Sequence, residues 1–214
     1  FGVVEIDRTG YRELSRSPIC FRRNKGMMPL PVPRLGGSLR NLRRILNVAD
    51  ETQFILLCGW LMATLRGTGP YPALVLSGEQ GTAKSTFARF VKKLIDPTRA
   101  PLQSIPRSIQ DLAINASNSL IVAYDNISTL SPWLSDTFCR VATGEGFTTR
   151  KLYSDSEPVI FELSRPLLLT GIEDFASRPD LMDRAIFLRL SVIDEEERRT
   201  EAELQAEFEE MHPL

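Results

Sequence analysis

The residues of this chain whose types and spacing could do chemistry begin with Gly78-Glu79-Gln80-Gly81-Thr82-Ala83-Lys84-Ser85, followed by Thr86. This is the G-x-x-x-x-G-K-[ST] pattern with alanine in the second glycine position. Such a loop turns its backbone N–H groups inward onto phosphate oxygens, and the N-terminus of the following helix adds partial positive charge. Lys84 is placed to reach the β- and γ-phosphates of a nucleotide, and the Ser85 hydroxyl to bind Mg²⁺. Alanine at 83 costs one methyl group and is tolerable if that residue already has helical backbone angles.

A second group lies 41 residues beyond Lys84, where the apolar run 119–124 ends in Asp125-Asn126. A carboxylate at a strand end beside a phosphate loop can hold Mg²⁺ through water, so Ser85 and Asp125 form the candidate metal pair. Asn126 can orient a water molecule but cannot take its proton. Either Glu145, in Ala142-Thr-Gly-Glu-Gly146, or Glu79 in the loop supplies that base, or hydrolysis is slow. His212, the only histidine, is expected in a frayed C-terminus and supports neither a transition-metal site nor histidine-based catalysis.

The elements that must position these groups follow from periodicity. From Tyr71 onward short apolar strands, 73–76, 120–124, 167–170 and 185–190, alternate with helices. One helix, 85–94, carries Phe87, Phe90, Val91 and Leu94 at helical spacing, and another follows the Ser131-Pro132 cap. Continuous apolar strands suit a mainly parallel sheet covered on both faces, which makes this an α/β chain. Upstream, residues 1–37 read as a β appendage. It has strands at 3–6 and 11–14, a third at 19–22, and a connector containing Pro29, Pro31 and Pro33 that closes at Gly36-Gly37.

Ser38 can cap a helix bearing Leu39, Leu42, Ile45 and Leu46, and Asp50 with Gln53 opens a helix to Leu65 that is expected to be buried. Thr200 with Glu203 forms a capping box for an acidic helix bearing Leu204, Phe208 and Met211, with little chain left to cover that stripe. The expected organisation is an appendage over 1–37, a core over 38–193, and the start of a truncated helical lid over 194–214.

Composition narrows the class. At 43% hydrophobic and 25% charged over 214 residues, the chain is an ordinary globular protein. The longest apolar run, 54–65, is shorter than the roughly 20 residues that cross a bilayer. Cys20, Cys58 and Cys139 form neither a disulfide framework nor a zinc spacing, and no signal peptide opens the sequence, so a cytoplasmic protein is expected. The net charge of −1 divides into +10 over residues 1–110 and −11 over 111–214, but residues 194–214 alone contribute −7, which weakens the asymmetry as a sign of nucleic-acid contact.

In their order these residues resemble the AAA+ superfamily, in particular the compact superfamily 3 helicase-like ATPases attached to phage, plasmid and integrative-element primases, over residues 38–210. Gly78 to Ser85 resembles Walker A, Asp125 the Walker B aspartate, and Thr170, in Pro166-Leu-Leu-Leu-Thr-Gly171, sensor 1. The resemblance implies that Arg184, with Arg178 in reserve, acts as an arginine finger on a neighbouring subunit, and so implies self-association as a hexameric ring.

It also implies a hairpin of strands 147–153 and 159–163 lining a DNA pore, with Arg150, Lys151 and Tyr153 as contacts, although Asp155 and Glu157 at its tip would repel a phosphate backbone. Arg107, after Ser104-Ile-Pro, is a further phosphate candidate. The implied activity is an ATP-driven helicase or primase-helicase motor on single-stranded DNA, with Mg²⁺ and a primase domain or partner. The rival readings are a nucleotide-gated assembly protein with weak hydrolysis and a small-substrate kinase.

Overall fold

In the computed structural model the structure describes residues 2–17, 19–21, 23–145, 147–150, 158–161, 164–172 and 175–212. Strands β1 (Val3–Asp7) and β2 (Gly10–Leu14) form an antiparallel hairpin in which Val3 faces Leu14 and Asp7 faces Gly10. The Asp7 carboxylate accepts the Thr9 N–H at 2.7 Å and fixes the turn, and Gly10 supplies a φ of +137°. No third strand follows over 19–21. There Ser17 bonds locally, its hydroxyl donating to the Ile19 carbonyl at 2.7 Å and accepting the Ile19 N–H at 3.0 Å, which takes that backbone out of strand pairing.

Residues 39–44 form a short 3-10 helix capped by Ser38, tighter than the α-helix that the spacing suggests, and bury Leu42. Helix α1 (Glu51–Thr64) starts at Asp50, which accepts the Gln53 N–H at 2.8 Å. The helix is buried on one face only: Phe54, Leu57, Trp60 and Leu61 are in the core, whereas Ile55 and Met62 are exposed. Its uniformly apolar sequence hides this two-sidedness, because no polar face marks the solvent side.

The chain then alternates through β3 (Ala73–Ser77), α2 (Lys84–Ile95), α3 (Ile109–Asn118), β4 (Val122–Ile127) and α4 (Pro132–Thr143). It continues through β5 (Phe147–Arg150), β6 (Pro158–Phe161), β7 (Leu167–Gly171), α5 (Pro179–Met182), β8 (Ala185–Arg189) and α6 (Glu201–Met211). Four strands make one parallel sheet in the order β4, β7, β3, β8. Successive strand residues point to opposite faces, so the aliphatic runs feed two cores. Leu74, Leu76, Leu168 and Leu188 pack with α1, α2 and Phe208 of α6, while Val75, Leu167, Leu169, Val122 and Tyr124 pack with α3, α4 and α5.

Helix α6 lies on α2. Phe208 is buried and stacks on Phe90 with ring centroids 5.0 Å apart, and Leu204 and Met211 border the same core. Its apolar stripe is therefore covered, because α2 presents an apolar surface beyond the one it turns to the sheet. His212 caps the helix, half-buried against Phe208 and 3.4 Å from the Leu94 carbonyl, rather than fraying. Among the described residues no helix is long and apolar enough to cross a membrane.

Candidate phosphate-binding site

Strand β3 delivers the loop. Gly78 has φ +154°, and a Cβ there would stand 2.6 Å from the Leu190 carbonyl, so the backbone at this point must be glycine to pass β8's end. Thr82 is buried and its hydroxyl donates to the Glu79 carbonyl at 2.9 Å, closing the turn. Asn47, from the segment before α1, donates to the Thr82 carbonyl at 3.0 Å and the Ser191 carbonyl at 2.7 Å. This clamp has no sequence signature, because its partners lie 35 and 144 residues away.

Ala83 differs from the expectation. It stands in the left-handed region, φ +60° and ψ 29°, as the N-cap of α2, and its side chain makes no cap bond. The second glycine position is therefore a strained one for alanine, by about 1–2 kcal/mol, and not a helical one. The first turn of α2 is thus left without a side-chain cap, directly after the loop.

The Lys84 ammonium folds back on the loop, donating to the carbonyls of Gly78 at 2.7 Å and Glu79 at 2.6 Å. Burial pushes its pKa down and the Asp125 carboxylate opposes that shift. Ser85 Oγ donates to Asp125 Oδ1 at 3.0 Å, and the Thr170 hydroxyl donates to the same oxygen. Thr170 in turn accepts the Asn126 N–H at 3.1 Å.

Three motifs separated by 40 and 45 residues thus meet at one carboxylate oxygen, because β7 is inserted between β3 and β4. The hydroxyl of Ser85 and the carboxylate of Asp125 are hard oxygen donors of the kind Mg²⁺ prefers, so the residues fit that ion. Asn126 has φ +57° at an irregularity in the β4–β7 register, and its side chain is exposed. Asparagine tolerates this conformation better than glutamate.

The other expected residues divide by position. Gln80, Gly81 and Thr86 lie in or directly after the loop, with the Arg89 guanidinium 3.4 Å from Thr86 Oγ1. Glu79 is exposed in the loop. Glu145 lies at the wrong end of the sheet to serve Asp125 of the same chain. It follows α4, whose last turn receives the Tyr71 and Arg165 N–H groups at 2.8 and 3.0 Å, beside the amino ends of β3 and β7.

Arg184 is also at that end. Ala73 donates to its carbonyl at 2.9 Å and pairs with Ala185, one strand length, about 13 Å, from Ser77. Its guanidinium donates to the Asp180 carbonyl at 2.8 Å, and Arg178 pairs with Asp136 at 2.9 Å. Neither touches its own loop. Arg107 is exposed at the loop end, since Gln103 bridges Tyr124 in parallel and the chain continues past Asp125.

Strands β5 and β6 pair as an antiparallel hairpin from Phe147–Phe161 to Arg150–Pro158. Lys151, Tyr153, Asp155 and Glu157 lie outside the described residues.

Residues 39–214 match the family described as actinomycete integrative conjugative element replication protein. Among solved structures, an apo form of the NrS-1 C-terminal region is similar with a TM-score of 0.59 and 18% identity, covering 90% of this chain and 47% of that one. A second apo structure of the region gives a TM-score of 0.60 and 17% identity, covering 90% and 48%. The chain spans about half the length of these structures, and at such identities the likeness is one of fold. No curated protein matches the chain.

Proposed function

Because the chain belongs to the actinomycete integrative conjugative element replication protein family, we propose that it is an AAA+ ATPase motor domain of such a replication protein, driving a helicase or primase-helicase on single-stranded DNA. The observation that carries this reading is the convergence of Ser85 and Thr170 on Asp125 Oδ1 beside the Lys84 loop. The strand carrying Thr170 sits between those carrying the loop and Asp125, as a sensor between the two Walker motifs requires.

In the proposed cycle the loop amides and the first turn of α2 bind the triphosphate, and Lys84 exchanges the Gly78 and Glu79 carbonyls for phosphate oxygens. Ser85 and Asp125 would hold Mg²⁺, which when bound neutralises charge on the phosphates. Thr170 holds Asp125 and Asn126 in register through one hydrogen bond to each, and the exposed Asn126 amide can orient but not deprotonate water. Arg184, too far from its own loop, would act in trans within a ring, which is the role the resemblance assigns it. DNA contact by Arg150, Lys151 and Tyr153, and a primase partner, rest on the resemblance alone.

The test is ATP binding and turnover by wild type and Lys84→Ala, with and without single-stranded DNA. Loss of both in the variant, and stimulation of the wild type by DNA, are expected. Equal affinity and turnover in Lys84→Ala would remove the assignment. A second reading, a nucleotide-gated assembly protein that hydrolyses slowly, is favoured by Asn126 following Asp125. Tight ATP binding with background turnover that DNA leaves unchanged would select it.

A further inference from the structure

An arginine outside every motif stands against the phosphate loop. Gly81 has φ +88°, and a Cβ on it would lie 3.1 Å from Arg198 Nη2 and 3.9 Å from Arg198 Cζ. The guanidinium thus occupies the space that the missing side chain of Gly81 leaves beside the loop. Arg198 comes from the segment between β8 and α6, and its Nε donates to the Ile193 carbonyl at 3.2 Å, which holds the base of the side chain.

The segment is fixed at both ends. Asn47 ties Ser191 to Thr82, and Arg199 pairs with Glu207 at 2.6 Å and donates to the Arg44 carbonyl at 3.1 Å. The two adjacent arginines therefore differ in kind. Arg199 is used up in anchoring α6, while Arg198 has no carboxylate partner among the described residues, although Asp194, Glu195, Glu196 and Glu197 immediately precede it. An exposed guanidinium that pairs with none of these four carboxylates among the described residues and stands against Gly81 puts a cation beside the loop that would take the phosphates.

We propose that Arg198 is a further ligand-binding residue, a cationic contact to the phosphate chain of the nucleotide, carried to the loop by the chain that leads into α6. This rests on the nucleotide-binding reading above.

The experiment is calorimetric titration of wild type, Arg198→Ala, Arg198→Lys and Arg199→Ala with ATP and, separately, with inorganic tripolyphosphate, each with Mg²⁺. Arg198→Ala is expected to weaken both ligands about tenfold, the scale of one charge-assisted contact. Arg198→Lys should recover part of that loss and Arg199→Ala should stay within about twofold of wild type.

Unchanged affinities in Arg198→Ala, with wild type binding ATP, would overturn the assignment and leave the nucleotide reading standing. A loss for ATP but not for tripolyphosphate would also overturn it, by moving the contact to the base or sugar. An equal loss in Arg199→Ala would make the effect one of α6 anchoring and overturn it too. Wild type that binds neither ligand would remove both readings together.

Discussion

The two ends of α2 each meet a carboxylate next to β4, and the two carboxylates are treated in opposite ways. At the C-terminal end Asp96 is buried and saturated: one oxygen accepts the Leu120 N–H at 2.8 Å, the Ile121 N–H at 3.0 Å and the Lys92 ammonium. Lys92, 2% exposed, also donates to the Ile121 carbonyl at 2.6 Å, and burial pushes its pKa down against the pull of Asp96. At the N-terminal end Asp125 receives two neutral hydroxyls and is half-buried, with the Lys84 ammonium turned to the loop carbonyls. A carboxylate hydrogen-bonded to a buried cation and two amides holds α2 to β4. One hydrogen-bonded only to hydroxyls leaves room for a cationic ligand.

The comparison breaks most visibly at Lys92. Replacing it by alanine leaves the buried Asp96 carboxyl without its cation, and should lower the free energy of unfolding in a denaturant titration by about 3–5 kcal/mol. The double variant Lys92→Met with Asp96→Asn, which keeps an acceptor for the two amides, should lose far less than the two single variants together.

At the other end Asp125→Asn should change unfolding by less than about 1 kcal/mol while ATP turnover falls by at least about 100-fold. A stability loss there as large as that of Lys92→Ala would erase the distinction between the ends. Ala83→Gly should raise stability by about 0.5–1 kcal/mol by relieving the left-handed alanine, and thermal unfolding would register it.

The smallest effect concerns His212, against Leu94 at the C-terminal end. Burial lowers its pKa, so the folded chain binds its proton less readily than the unfolded one. Its neutral form costs nothing above the ordinary value of 6.5, and stability declines as pH falls below 6.5 toward the lowered folded value. His212→Gln should remove that part of the decline as pH is lowered through and below 6.5, read by denaturant midpoints.

Much of the fold was legible because it is written in local periodicity. The strand that became β3, the amphipathic face of α2, the Asp50 and Thr200 caps and the proline start of α4 all depend on residues within one or two turns of each other. Errors came where a long-range partner decides. The exposed face of α1 depends on which side the sheet lies, the coverage of Phe208 depends on Phe90, and the left-handed Ala83 depends on how the loop closes under Leu190 and Asn47. Glu145 failed as a partner for Asp125 for the same reason, since spacing along the chain does not say at which end of the sheet a helix finishes.

By itself the sequence determined the loop and its residue types, the aspartate that ends an apolar strand, and the α/β alternation, because each is a pattern of neighbours. The tertiary structure alone decided that Ser85, Asp125 and Thr170 share one oxygen, that Arg184 and Arg178 stand away from their own loop, and that Arg198 stands on it. Strand order and helix docking bring together groups that no periodicity relates, and the chemistry of the site depends on those meetings.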